Sequence, residues 1–289
     1  MIVVGGGVIG CELAMLYAAF GVKITIVELM PTILPMVDAE IVKALLRVMR
    51  KFKIDVMTGT KLVAGEASET GFRGTLDNGK IVEAQKCLVV VGRKPLVNDC
   101  GAAELGLVPD GRKIAVDNRC ATSVPGIWAI GDATGQWMLA HSAYKMAEIA
   151  AENIMGHHKT TDGVVIPNGI FTIPEIGIAG VTEEQAREKY GEVKIGTYLY
   201  RPLGRAQASG ALDGIFKVIA RASDNVIVGV AIFGEGGTDL VAEGALAVQK
   251  GMKLEDIVHT VHSHPTYSEG FHEACASAIG CGVHSLAAK

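Results

Sequence analysis

The sequence predicts an α/β fold divided into more than one domain, and three observations lead to it. A glycine-rich turn, Gly5-Gly6-Gly7-Val8-Ile9-Gly10, sits between a short apolar run and a helical pattern. Apolar runs of strand length alternate with helical patterns from there onward. The composition, 49% hydrophobic and 20% charged with 36 glycines, suits a packed chain with many tight strand-to-helix turns, not a disordered or fibrous one. A length of 289 residues leaves room for about two domains at roughly 100–200 residues each.

The elements follow in order. Met1 to Val4 is a short strand, Val8 to Phe20 a helix and Lys23 to Glu28 a β-branched strand, together a compact, Rossmann-like βαβ start. A second helix is expected over Asp38 to Lys51 with Asp38 as its N-cap. Strands are expected at Ile54 to Met57 and Lys61 to Glu66. Phe72 to Leu76 and Ile81 to Ala84 flank Asp77-Asn78-Gly79-Lys80, a hairpin signal. Leu88 to Val91 reads as a buried strand ending at Gly92.

From Arg93 to about His158 the pattern changes to loops and short strands, including Ile127 to Ile130, before a helix at Ala140 to Met155. This piece has too few elements to cover its own apolar surface. Beyond it an α+β domain is expected. Its strands lie near Ile195 to Tyr200, Ile215 to Arg221 and Val226 to Phe233, and its helices at Thr182 to Tyr190, Asp239 to Lys250 and Thr266 to Ala278. Thr182-Glu183-Glu184-Gln185 has capping-box spacing for the first of these helices.

Charge and cysteine usage exclude several classes. A formal net charge of -4 gives no electrostatic case for nucleic acid or an anionic membrane. No apolar run approaches the roughly 18 residues of a membrane span, and the start lacks a secretory signal, so the chain is expected to be cytoplasmic. The six cysteines, Cys11, Cys87, Cys100, Cys120, Cys275 and Cys281, contain no CxxC pair. Buried free thiols are therefore favoured over a disulfide framework or a zinc site.

Three motifs carry chemistry. In Gly5-x-Gly7-x-x-Gly10 the glycines permit a tight turn and the approach of a pyrophosphate to the helix N-terminus. Glu28 ends the next strand, 18 residues past Gly10, where a carboxylate bonds an adenosine ribose 2'-hydroxyl. Leu29, Met30 and Pro31 follow it with no Lys or Arg to receive a 2'-phosphate, which favours NAD over NADP. The bland reading is a tight turn with a surface Glu. Glu12, just inside the helix, can simply favour its positive end.

Gly131-Asp132-Ala133-Thr134-Gly135 follows a short apolar run and precedes Met138-Leu139-Ala140-His141 at a helix start. Alone, the Gly-Asp pair is equally an ordinary strand-ending turn. The third motif is His262-Ser263-His264-Pro265-Thr266-Tyr267-Ser268-Glu269. A His followed by Pro, with Glu five residues on, suits an imidazole oriented by a carboxylate, the acid/base pair that deprotonates a thiol near neutral pH. Thr266 to Glu269 is also a capping box, which would leave His264 a plain loop histidine. His259, His262, His264 and His272 cluster in sequence but match no familiar metal-ligand spacing, so no metal is expected.

Together with Val91-Gly92-Arg93-Lys94-Pro95, these motifs resemble the pyridine nucleotide-disulfide oxidoreductases along the whole chain, and within them the dihydrolipoyl dehydrogenases. The resemblance implies an NAD domain at 1–92, a remnant of a flavin domain at 93–158 and a dimer-interface domain at 159–289. It implies NAD contacts at Gly5, Gly7, Gly10, Glu12, Glu28 and Gly92, with Glu12 near the nicotinamide. It implies FAD contacts at Asp132, through the ribityl chain, and at Met138, Leu139, Ala140 and His141, facing the isoalloxazine. His264 would be the acid/base for a substrate dithiol and Glu269 its orienting group, acting in the partner subunit's site of a homodimer. The substrate would be free dihydrolipoamide or a lipoyl-bearing protein.

The sequence departs from that pattern in two places. It contains neither the glycine-rich flavin segment nor the CxxxxC redox pair that the family places first, so the chain alone is expected to be inactive. Tyr144-Lys145-Met146-Ala147 stands where relatives often carry acidic residues and Gly. A glutathione-type reductase would show basic residues after Glu28, and a mercuric-type one a vicinal cysteine pair near the C-terminus; neither is present. A non-catalytic NAD-binding and dimerisation module is the alternative from another class.

Overall fold

The computed structural model describes residues 1–97, 100–108 and 112–284. The fold is mixed α/β, with one parallel sheet and two antiparallel ones. Residues 1–91 and 167–289 form one compact unit and residues 92–166 another.

The first unit begins with β1 (Ile2–Val4), α1 (Val8–Ala19), β2 (Thr25–Val27), α2 (Ala39–Lys51) and β3 (Asp55–Met57). A hairpin sheet of β4 (Leu62–Ser68), β5 (Gly71–Leu76) and β6 (Ile81–Ala84) precedes β7 (Cys87–Val89). The parallel sheet has the order β3-β2-β1-β7, with Ile2 opposite both Thr25 and Cys87. Along α2, Ile41, Val42, Leu45, Val48 and Met49 recur at helical spacing and are buried. Asp38 caps α2 as expected, its Oδ1 accepting the Glu40 N–H at 3.1 Å. The hairpin turn also forms where expected, with Gly79 at φ +79° and Asn78 Oδ1 accepting the Lys80 N–H at 3.0 Å.

One expectation fails here. Leu88 to Val91 is not a buried strand: Val89 is 62% and Val91 73% exposed. The cause is position, because β7 pairs only with β1 and forms the edge of its sheet.

In the second unit, α3 (Ala140–Ile154) buries Met146, Ile149 and Ala150 against Cys120, with Trp128 and Trp137 packed alongside. The strand expected over Ile127 to Ile130 is only a single bridge from Trp128 to Ala121. Only Trp128 of the four residues pairs, and a 3₁₀ turn follows at Gly131–Thr134. Tyr144, Met155 and Leu96 are more than 70% exposed, so the apolar surplus foreseen for this piece is real.

The first unit resumes with β8 (Asn168–Ile170), β9 (Glu175–Gly180), α4 (Glu183–Tyr190), β10 (Val193–Leu199) and α5 (Gly204–Ser209). It ends with β11 (Ile215–Arg221), β12 (Ile227–Gly234), α6 (Gly237–Lys250), α7 (Leu254–Val258) and α8 (Glu269–Ala278). The antiparallel sheet has the order β10-β11-β12-β9-β8. Helices α6 and α8 lie on it so closely that a Cβ at Gly196 would stand 1.9 Å from the Ala274 carbonyl oxygen. The capping box forms at Thr182 and Gln185. The expected helix over Thr266 to Ala278 begins later, at Glu269, because residues 264–268 fold as the loop that carries His264.

Lys217 of β11 is buried at 3% exposure among three carboxylates: Glu183 at 2.7 Å, Asp38 at 2.8 Å and Glu40 at 3.3 Å. Burial alone would pull its ammonium down, but the bonds to Asp38 and Glu183 outweigh it and hold the group above its ordinary range. Asp38 Oδ2 also accepts the Glu183 N–H at 3.2 Å. This network ties the α2 start to α4 and the sheet.

Candidate active and cofactor sites

The loop between α7 and α8 holds His264. Its Nδ1 lies 2.8 Å from Glu269 Oε1, while Glu269 Oε2 accepts the Thr266 N–H at 2.8 Å. The two sequence readings of Glu269 are therefore satisfied together, one by each carboxylate oxygen. The capping box is half formed, since the Thr266 hydroxyl donates to the Ser263 carbonyl at 2.7 Å and does not cap α8. Burial would raise the Glu269 carboxyl, but the Thr266 N–H and His264 outweigh it and hold it below its ordinary value. An ionised Glu269 accepts Nδ1–H, which leaves Nε2 as the basic nitrogen of the neutral ring.

Exposure divides the pair in a useful way. The His264 side chain is 75% exposed and that of Glu269 only 24%, so the imidazole faces solvent and the carboxylate is shielded. Both line a cavity of about 550 Å³ with Tyr198, Gly204 and His262. Gly204 escaped the sequence reading. A Cβ there would stand 3.6 Å from His264 Cε1, in ordinary van der Waals contact, so the position lies against the ring. The loop is braced by Tyr267, whose hydroxyl bonds the Ser209 hydroxyl at 2.6 Å and whose ring packs on Tyr200 at 5.4 Å between centroids.

The other histidines do not join this site as metal ligands. His262 bonds Glu243 at 2.9 Å and the Thr260 carbonyl at 3.0 Å, and His272 bonds the Val258 carbonyl at 3.1 Å. Among the described residues no group of His, Cys, Asp and Glu is arranged to hold a metal ion.

The glycine turn is built by close approach. A Cβ at Gly10 would stand 2.0 Å from the Gly5 carbonyl oxygen, and one at Gly5 2.4 Å from that of Val90. Around Gly7 the space is open, at the N-cap of α1, which has no side-chain cap. Open space at an uncapped helix start fits a pyrophosphate. Glu28 is more engaged than the sequence suggested: Oε2 accepts the Gly6 N–H at 2.5 Å and Oε1 the Met30 N–H at 2.6 Å. Each carboxylate oxygen keeps a second lone pair, so the pinned Glu28 can still accept ribose hydroxyls.

Glu12 lies beyond the first turn of α1. Its Oε1 accepts the Phe171 N–H at 2.8 Å, 159 residues away, a long-range tie that a helix-end reading does not foresee. Burial first, then the charges of Glu28 and Glu12, pushes the Cys11 thiol up to about 12. Cys11, Cys120 and Cys275 are buried thiols, but Cys100 and Cys281 are exposed and Cys87 half-buried, so burial holds for only some of the six.

In the second unit, Gly92 has φ +129° with open space where a Cβ would point. Arg93 Nη1 lies 3.4 Å from Asp132 Oδ2, and its Nη2 donates to the Met138 carbonyl at 2.5 Å. Asp132 is half exposed on the 3₁₀ turn, and Met138 has φ +51°. Ala140 and His141 open α3 after Leu139, again with no side-chain cap. Arg93 thus ties Asp132 to Met138, which leads through Leu139 into Ala140 and His141 at the α3 start, and the uncapped N–H groups of that start fit a polar cofactor.

Comparison with known proteins gives the family. Residues 1–147 match the pyridine nucleotide-disulphide oxidoreductase family, and residues 166–275 its dimerisation domain. Dihydrolipoyl dehydrogenase of Geobacillus stearothermophilus is 38% identical over 290 residues, 99% of this chain and 62% of the relative. That of Pseudomonas aeruginosa is 35% identical over 284 residues, 98% and 61% respectively. The chain spans about three-fifths of the length of these curated relatives. LpdA from Mycobacterium tuberculosis superposes with a TM-score of 0.88 at 26% identity, over 95% of this chain and 60% of that one. The HOCl-induced flavoprotein disulfide reductase RclA from Escherichia coli, at 23% identity and a TM-score of 0.89, shares the fold. The chain belongs to the pyridine nucleotide-disulphide oxidoreductase family.

Proposed function

We propose that the chain is the NAD-binding, partial flavin-contacting and dimer-interface part of a dihydrolipoyl dehydrogenase that oxidises dihydrolipoyl groups with NAD. The observation that carries the proposal is the 2.8 Å bond between His264 Nδ1 and Glu269, with an exposed ring and a shielded carboxylate. NAD and FAD, when bound, supply the hydride and electron-transfer chemistry. The chain's residues do the rest. His264 Nε2 takes the proton from a substrate thiol, Glu269 holds the ring in the Nδ1–H tautomer and offsets the imidazolium charge, and the Thr266 N–H holds Glu269.

Residues 1–92 would hold NAD at Gly5, Gly7, Gly10, Glu12, Glu28 and Gly92. Residues 93–158 would meet FAD at Asp132 and Met138 to His141, and residues 159–289 would form the homodimer interface. The dihydrolipoyl dehydrogenase relatives and the match of residues 166–275 to a dimerisation domain support this assignment.

Glu28 sets the first test. Calorimetric titration of the chain is expected to give tighter binding of NADH than of NADPH, because a carboxylate fixed by two backbone N–H groups repels a 2'-phosphate. Glu28→Ala should erode that preference. Equal or tighter NADPH binding by the unaltered chain would sink the NAD assignment, and sedimentation of the same sample as a monomer would remove the homodimer.

A further inference from the structure

Away from the sites above, α2 and the strands β10 and β11 frame a cavity of about 420 Å³. Lys43, Arg47 and Lys51 stand four residues apart on α2 and line it from one side, and Arg201, just past β10, lines it from another. Two acids also line it, and both are engaged. Asp213 pairs with Lys51 at 2.6 Å, and Glu40 lies 3.3 Å from the buried Lys217. The side chains of Lys43, Arg47 and Arg201 have no ion pair or hydrogen bond among the described residues. Three cations without a counter-charge thus share one concavity.

The cavity also has an apolar floor. Phe233, Val48 and Ile215 line it and are only 1%, 5% and 7% exposed. A cleft whose lining carries an excess of positive charge, four cations against two carboxylates, over low-dielectric walls attracts a counter-ion. Two guanidinium forks suit the bidentate binding of an oxyanion, and a lysine adds a point charge. Three cations call for more than the single charge of a carboxylate. The volume lies within the range of small-molecule sites, roughly 300–1,000 Å³. A nucleic acid strand is disfavoured by the net charge of -4.

We propose that this cavity binds a small organic phosphate, with the phosphate on Lys43, Arg47 and Arg201 and its apolar part on the Phe233, Ile215 and Val48 floor. The site is separate from the pyrophosphate turn, since neither the glycine motif nor Glu28 lines it. It spans α2 and the antiparallel sheet, two parts of one compact unit, so an occupant adds to the stability of that unit by mass action.

Phenyl phosphate and inorganic phosphate, titrated into the chain at constant ionic strength, test this. Phenyl phosphate is expected to bind roughly tenfold more tightly, the effect of removing about 50 Å² of apolar surface from water. Arg47→Gln and Arg201→Gln keep much of the side-chain stem at exposed positions, so the fold should persist, as circular dichroism would verify. Each should weaken phenyl phosphate by about tenfold, the equivalent of one lost charge-assisted contact. Three results would overturn the proposal: no phenyl phosphate binding at millimolar concentration, equal affinity for the two probes, or affinity unchanged in both variants, which would place the anion at the glycine turn or elsewhere.

Discussion

Lys217→Ala is expected to lower the unfolding free energy by about 3–5 kcal/mol, because it leaves buried carboxylates without their cation. Asp38 is 6% exposed and bonds Lys217 at 2.8 Å; Glu183, 30% exposed, bonds it at 2.7 Å. Each lost bond also frees an element, the start of α2 through Asp38 and the start of α4 through Glu183. Urea unfolding of the two proteins gives the difference. A loss below about 1 kcal/mol, the value of an exposed pair, would mean that the network is solvated and decorative. Lys217→Met combined with Asp38→Asn and Glu183→Gln should recover much of the loss, since it removes the cation with its two hydrogen-bonded carboxylates and leaves only the half-exposed Glu40 charged.

The same network fixes a pH dependence. The Glu183 carboxyl is held below its ordinary value near 4.5, first by its hydrogen bond to Lys217. A depressed carboxyl contributes stability that is fully present above the unfolded value and is lost as pH falls through the folded one. Unfolding stability should therefore decline below about pH 4.5, more steeply in the unaltered protein than in Lys217→Ala, where Glu183 has lost its main partner. Parallel pH profiles would assign the acid sensitivity to other groups.

Lys217 was invisible in the sequence because its partner Asp38 lies 179 residues away, and Ile215 to Arg221 reads simply as a strand. What local chemistry dictates was legible. The Asp38 cap, the Asn78-Gly79 turn and the Thr182 capping box each involve residues within four positions. The six-residue strand β9 was not foreseen, because Gly177 and Gly180 dilute its apolar signal, whereas Gly177 is where α6 approaches the sheet: a Cβ would meet the Gly237 carbonyl oxygen at 2.1 Å. The site shows the same division. Glu269 was identified as a partner of His264 because only five residues separate them, yet Gly204, against the same ring, lies 60 residues upstream and carries no side chain to signal a role. Glu12 and Glu28 were chosen by position, but their backbone partners Phe171, Gly6 and Met30 belong to the fold.

Joined to the flavin-bearing N-terminal segment of a dihydrolipoyl dehydrogenase relative, the chain is expected to oxidise dihydrolipoamide, and His264→Gln should lower kcat by about 10²–10⁴-fold, the usual contribution of a positioned acid/base. Glutamine keeps a polar side chain but cannot accept and return the thiol proton, so the loss falls on proton transfer and leaves NADH binding in place. The chain alone, with no CxxxxC pair, is the blank. Glu269→Gln separates orientation from loop architecture. The amide still offers an oxygen to the Thr266 N–H, so the loop should persist, but the negative charge that offsets the imidazolium is gone. A fall in kcat of more than tenfold, with a shift of the acid limb of the pH profile and an intact fold, is the outcome expected of an orienting carboxylate. If Glu269→Gln leaves both kcat and the pH profile untouched while His264→Gln abolishes turnover, Glu269 serves the Thr266 backbone only. If His264→Gln itself changes nothing, the thiol proton goes to another group, and the exposed imidazole at the rim of this cavity is not the acid/base of the reaction.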